Sequence, residues 1–166
     1  EILNVLELLK MTFKEEDIYY LKDQNIKSKN IKKISDYLIF HFDEKWIFND
    51  YIIKYQSIEP TKSELDFFIN ELSKKTNKNI IITTGIKIND LLKDFMNSSK
   101  KVSVNLYEKK YNEKTIQLYT NINFFDLKYL IKDCSYIITC HGAATHIASA
   151  FNKKIYDIFD SSQKLF

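Results

Sequence analysis

Ile138-Thr-Cys-His-Gly-Ala-Ala-Thr-His-Ile-Ala-Ser-Ala-Phe151 holds two of the chain's three histidines and one of its two glycines. It passes from an apolar, strand-like run (Tyr136, Ile137, Ile138) through Gly142 into a helix-like run of small residues. A strand that turns at a glycine into a helix aims unpaired backbone N–H groups, and the positive end of a helix dipole, at the space above the sheet. Phosphate is the commonest guest of such a joint. The other glycine, Gly85, closes a second apolar run, Ile80 to Thr84. Where glycine is this scarce, its positions carry weight.

Working outward, the same alternation recurs. Tyr37–Phe42 and Asn79–Thr84 are expected strands, the latter a continuous apolar run of the kind buried on both faces of a parallel sheet. Pro60 and Thr61 open an amphipathic helix carrying Leu65, Phe68, Ile69 and Leu72. Asn89–Met96 is a second expected helix, and Phe124–Ile131, capped by Asn123, a third. Val102–Tyr107 is a strand or an extended edge, and Thr115–Tyr119 a strand. Ser135–Thr139, Ala143–Phe151 and Lys154–Phe159 complete the series as strand, helix and strand. Near the start, Ile2–Met11 has the apolar spacing of a short buried helix. Residues 12–35 are charged and broken, and 46–59 irregular. Strands alternating with helices at this spacing predict an α/β fold, a Rossmann-like parallel sheet flanked by helices. Residues 37–166 form that domain and 1–36 a preceding helix and linker. A chain opening at Glu1 and closing at Phe166 without an evident terminal element is expected to be part of a longer protein.

Composition narrows the class. With 166 residues, 45% apolar and 14% aromatic, the chain can bury a core without metal or disulfide staples. It has no apolar run of membrane-spanning length and no secretory signal. All 25 basic residues are lysine. Without arginine's forked donors, anion binding falls to lysine point charges and backbone amides. Lys27, Lys29, Lys32 and Lys33 form a basic stretch better suited to a solvated surface than to nucleic acid. Cys134 and Cys140 match neither a metal-finger spacing nor a disulfide framework. A cytoplasmic protein without a resident metal or cofactor is expected.

In open parallel sheets, ligands bind beyond the carboxyl ends of the strands. Those ends carry His41, Asp43 and Lys45; Thr84 and Gly85; Thr120 and Asn121; Cys140, His141 and Gly142; and Asp160. Every histidine and both glycines fall on this rim or in the helical turn behind it.

Four stretches, taken in order, resemble the heptosyltransferase-like glycosyltransferases (glycosyltransferase family 9). They are HFDEKW at 41–46, NFFDLKYLI at 123–131, HIASAF at 146–151 and KKIYDIF at 153–159. The likeness is to the C-terminal, nucleotide-sugar-binding half of that family's two-domain GT-B fold. It departs where His141, Gly142 and Ala143 stand in place of the family's Asp, Thr and Gly. The resemblance implies that Gly142, Ala143, Ala144 and Thr145 offer main-chain N–H groups to the diphosphate of a nucleotide-sugar. Lys45 would offset charge on the departing nucleoside diphosphate, or be one more solvated lysine. His146 would either hydrogen-bond the phosphate or brace the turn from below. His141 would contact the donor sugar or be an exposed turn residue. Ile122 sits where the family meets the base, and Thr84 and Gly85 serve shape more than chemistry. Trp46 is expected to be structural. Cys140 and His141, adjacent at a strand end, point apart and make no nucleophile–base pair.

The implied activity is transfer of a sugar, heptose or related, from a nucleoside diphosphate to a cell-surface glycan such as lipopolysaccharide core. The acceptor, a glycan or glycolipid, and the catalytic base would belong to an N-terminal half. Peripheral association with the inner membrane would suit such an acceptor. The alternative is a non-catalytic Rossmann-like binding or interaction domain that has lost donor chemistry.

Overall fold

The computed structural model describes residues 28, 31–32, 34–47, 58–111 and 113–158. The expected helix Ile2–Met11, most of the linker, most of the 46–59 stretch, Lys27, Lys29, Lys33 and Asp160 lie outside the described residues.

Seven strands form one sheet: β1 (Tyr37–His41), β2 (Asn79–Thr83), β3 (Lys100–Lys101), β4 (Leu106–Tyr111), β5 (Lys114–Tyr119), β6 (Tyr136–Cys140) and β7 (Lys154–Ile158). Four α-helices are described: α1 (Lys62–Lys75), α2 (Lys93–Asn97), α3 (Phe124–Asp133) and α4 (Ala143–Ala150). The strand order is β3-β4-β5-β2-β1-β6-β7. The pairs β5–β2, β2–β1, β1–β6 and β6–β7 are parallel. The chain thus winds outward from β1 first to one side, through β2 and β5, then to the other, through β6 and β7. This is a Rossmann-like α/β fold, and the reversal between β1 and β6 opens a crevice at the carboxyl end of the sheet.

Strand alternation divides the core in two. Tyr37, Ile39, Ile81 and Ile137 face Leu127, Leu130 and Ile131 of α3 and Ala144, Ile147 and Ala148 of α4. Leu38, Phe40, Ile80, Ile82 and Ile138 face the other way, packing with Leu65 and Ile69 of α1 and with Leu92. Both faces being covered explains why β1 and β2 are nearly unbroken apolar runs. The helix starts are chemically marked. Thr61 caps α1 reciprocally with Glu64, the Thr61 N–H donating to the carboxylate at 2.7 Å and the Glu64 N–H to the Thr61 hydroxyl at 3.3 Å. Asn123 accepts from the Asp126 N–H at 2.9 Å at the head of α3, as expected.

One edge departs from expectation. The strand anticipated at 102–107 lies at 106–111 and runs antiparallel to β5, pairing Leu106 with Tyr119 and Tyr111 with Lys114. Such a hairpin needs only a short turn, whereas another parallel strand would need a crossover helix. The backbone also handles its tightest bends without glycine. Asp36, Asn121 and Asn152 take the left-handed conformations, with φ of 44°, 52° and 53°. Their short polar side chains tolerate that region.

Lys128 on α3 is fully buried, and its ammonium has no hydrogen-bond partner among the described residues. Desolvation, then Lys132, push its pKa below the ordinary lysine range. A base depressed by folding makes the unfolded chain bind more protons, so this penalty shrinks as pH rises from the folded pKa toward the unfolded one. Lys128→Met is expected to raise stability by about 1–2 kcal/mol at neutral pH. Denaturant melts at neutral and alkaline pH check this; the gain should shrink at the higher pH.

Candidate functional site at the strand switch point

Past β1, the chain makes one turn of 3-10 helix, Glu44–Trp46, closed by the Trp46 N–H to the Asp43 carbonyl and the Ile47 N–H to the Glu44 carbonyl. Asp43 holds its start, accepting from the Lys45 N–H at 3.2 Å. Trp46 nails it to the core: its indole is buried between the Phe40 and Phe42 rings, at 5.5 and 5.2 Å, and Nε1 donates to the His41 carbonyl at 2.9 Å. With Trp46 fixed inward, Glu44 and Lys45 reach sideways over the loops on either side.

Glu44 lies over Gly85. Its Oε1 accepts from the N–H groups of Ile86, at 2.8 Å, and Lys87, at 3.1 Å. Lys45 lies over Gly142, its Nζ donating to the His141 carbonyl at 3.2 Å. A methyl group on Gly85 would fall 2.0 Å from the Glu44 carboxylate, and one on Gly142 only 1.5 Å from Lys45 Nζ. The chain's two glycines are therefore clearance for the two side chains of this crossing turn. The sequence placed both at the rim; their service to Glu44 and Lys45 comes from the fold.

Beneath the turn, His41 is buried. Its Nδ1 lies 2.8 Å from the Thr83 hydroxyl and its Nε2 3.4 Å from Asp43 Oδ2. Asp43 is also 4.0 Å from Lys45 Nζ, so carboxylate and ammonium share the crevice mouth. Thr84 knits β2 to β5, its N–H donating to the Tyr119 carbonyl and its hydroxyl accepting from the Asn121 N–H.

Across the crevice stands the joint of β6, Gly142 and α4. Gly142 is extended and precedes α4, and its N–H donates to the Thr145 hydroxyl at 3.3 Å. The N–H groups of Ala143, Ala144 and Thr145, at the head of the helix, have no acceptor within it. Ala143 is exposed, while Ala144 is buried against the sheet. His146 is exposed rather than tucked under the turn, its ring edge-on to His141 with centroids 5.6 Å apart. His141 is half exposed, and its Nδ1 lies 2.7 Å from Asp157 Oδ2. The other Asp157 oxygen accepts from the Thr145 hydroxyl at 3.4 Å. Ile122 is buried in the core with α3, its N–H donating to the Thr84 carbonyl at 3.4 Å.

Two participants escaped sequence reasoning, Glu44 and Asp157. A carboxylate inside the otherwise apolar KIYDI run was the available signal for Asp157. Burial pushes the Cys140 thiol well above its ordinary range, Asp43 adding to the effect, and Cys134 is pushed up to about 12 by burial. Neither is a thiolate nucleophile near neutral pH. Hollows among the described residues lie elsewhere, one of about 520 Å³ at the opposite end of the sheet beside Lys74, Asn79 and Lys114. One of about 440 Å³ sits between α1, α2 and the β4–β5 hairpin, and one of about 300 Å³ is walled by Phe40, Phe42, Trp46 and Phe68.

The fold and site define a Rossmann-like α/β domain whose crevice pairs a helix N-terminus with one crossing lysine. Comparison with protein-family models and with curated proteins finds no match for this chain.

Proposed function

We propose that this chain is the donor-binding half of a glycosyltransferase, taking a nucleoside diphosphate-sugar in the crevice between β1 and β6. The observation that carries the reading is Lys45 lying across the strand switch point, over Gly142 and beside the first turn of α4. A diphosphate seated there meets the amides of Ala143, Ala144 and Thr145 from one side and an ammonium from the other. On donor arrival Lys45 exchanges the His141 carbonyl for a phosphate oxygen. It then offsets the charge that grows on the leaving nucleoside diphosphate as the glycosidic bond breaks. His141, steadied through Nδ1 by Asp157, faces the donor sugar with Nε2. The four-stretch resemblance supports a cell-surface glycan such as lipopolysaccharide core as acceptor, held by a second half that also supplies the base. It supports work at the cytoplasmic face of a membrane; among the described residues no helix is long and apolar enough to cross one.

The test is calorimetry against uridine, adenosine and guanosine diphosphates and their sugars. Heat with at least one of them is expected. Absence of heat across the panel sinks this reading in favour of a non-catalytic interaction domain. That second reading has its own support: Lys45 is already engaged by the His141 carbonyl, and a histidine stands where the family has an aspartate.

A further inference from the structure

Six large apolar side chains are exposed at one corner of the molecule, Ile86 (83%), Val104 (89%) and Phe125 (62%) largely and Ile88, Val102 and Phe124 by about two fifths (40%, 39% and 45%). They come from the loops after β2 and β5 and from the loop before β4, extending into the first residues of α3. The sheet brings these loops to the same edge, because β4 enters the sheet at Leu106 opposite Tyr119, where β5 ends, and Tyr119 lies beside Thr83, where β2 ends. Hydrogen bonds join them further. The Thr120 N–H donates to the Asn105 carbonyl at 2.9 Å, and the Asn121 N–H to the Thr84 hydroxyl at 2.9 Å.

The charged residues of these loops are lysines. Residues 85–89, 98–105 and 120–125 include Lys87, Lys100 and Lys101 and no aspartate or glutamate. All three lysines are exposed. The bordering acids are engaged: Glu44 with the Ile86 and Lys87 amides, Glu108, opposite Lys100 in the ladder, with the Gln117 amide at 3.1 Å, Asp90 with Lys93 at 2.9 Å, and Asp126, which is buried, with the Asn123 amide at 2.7 Å. An isolated exposed apolar residue needs no explanation, but six sharing a corner with lysines do.

We propose that this corner docks on the surface of a bilayer containing anionic lipid. Apolar tips carried on separate loops, alternating with lysine, serine and asparagine, suit entry between headgroups. A protein partner would call for a continuous face or groove, and the hollows described above lie elsewhere. The phenylalanine, isoleucine and valine side chains would reach the acyl boundary while the lysines stay level with the phosphates. The corner adjoins the crevice, since Glu44 of the crossing turn grips the Ile86 and Lys87 amides. A glycolipid acceptor would thus be met at the edge of the donor site. The proposal rests on exposure and charge, not on the donor assignment.

Cosedimentation of the chain with phosphatidylcholine vesicles, with and without phosphatidylglycerol, tests it. Binding only to the anionic vesicles, weakening with salt, is expected. Lys100→Glu and Lys101→Glu together should weaken it about 30-fold. Phe124→Ser with Phe125→Ser should weaken it at least about tenfold, lysines intact. Unchanged melting temperatures and nucleotide heats would keep both variants clear of folding and donor binding. Absence of binding, equal binding to neutral vesicles, or variants that bind like the parent would overturn the proposal. So would a dimer in sedimentation velocity that the phenylalanine variant abolishes, since that assigns the corner to a second copy.

Discussion

Lys45→Met should weaken nucleoside diphosphate binding about 10- to 100-fold, the equivalent of one charge-assisted contact worth about 1.5–3 kcal/mol. Methionine keeps the length and apolar stem of the side chain and removes only the ammonium. The fold should hardly notice. In the free protein Nζ donates to the His141 carbonyl and stands 4.0 Å from Asp43, contacts near the surface worth about 0–1 kcal/mol. A companion variant separates charge from position. Gly142→Ala leaves every charge in place but sets a methyl group where Lys45 Nζ rests. Because the end of a flexible side chain can yield, folding survives while the lysine loses its seat. Calorimetry with the diphosphate that binds the parent chain should show both variants weakened. Parental affinity in Lys45→Met would remove the lysine from the site.

Trp46→Ala is expected to be the most damaging single change to stability, costing about 3–5 kcal/mol. The indole is buried, packs on Phe40 and Phe42, and carries the hydrogen bond that pins the crossing turn to the end of β1. A loss of that size is a large fraction of the about 5–15 kcal/mol by which domains are ordinarily stable. Urea melts followed by circular dichroism measure it, since the chain's only tryptophan cannot report its own removal. Trp46→Phe retains most of the packing and drops the N–H donor, so a cost of about 1–2 kcal/mol is expected. Equal losses in the two variants would mean that the hydrogen bond, not the packing, secures the turn.

Much of this fold is legible in local pattern. The 138–151 stretch resolves into β6, Gly142 and α4 nearly as written, because a buried strand and a small-residue helix each impose their own spacing. The Thr61 and Asn123 caps are equally local. Strand direction is not. Leu106–Tyr111 carries Glu108, Lys109 and Lys110, as an outer strand can, and nothing in that run says whether it pairs parallel or antiparallel with β5. Within the site, the histidines and glycines stand out because they are rare. Glu44 and Asp157 are hidden among 22 acidic residues. Their partners, the Ile86 and Lys87 amides and His141, are neighbours only through the strand order.

The crossing turn has a mechanical consequence. Glu44 and Lys45 are consecutive residues of one hydrogen-bonded turn, riveted at Trp46, and they hold opposite banks of the sheet edge: the loop after β2 by its amides, the joint after β6 by a carbonyl. The pair is a lever with its fulcrum in the core. A ligand that draws Lys45 off the His141 carbonyl is expected to bear on the hold that Glu44 has on the Ile86 and Lys87 amides, and a shift of those amides on Lys45. Such a coupling would be reciprocal, ligands on the two banks changing each other's affinity by the same factor.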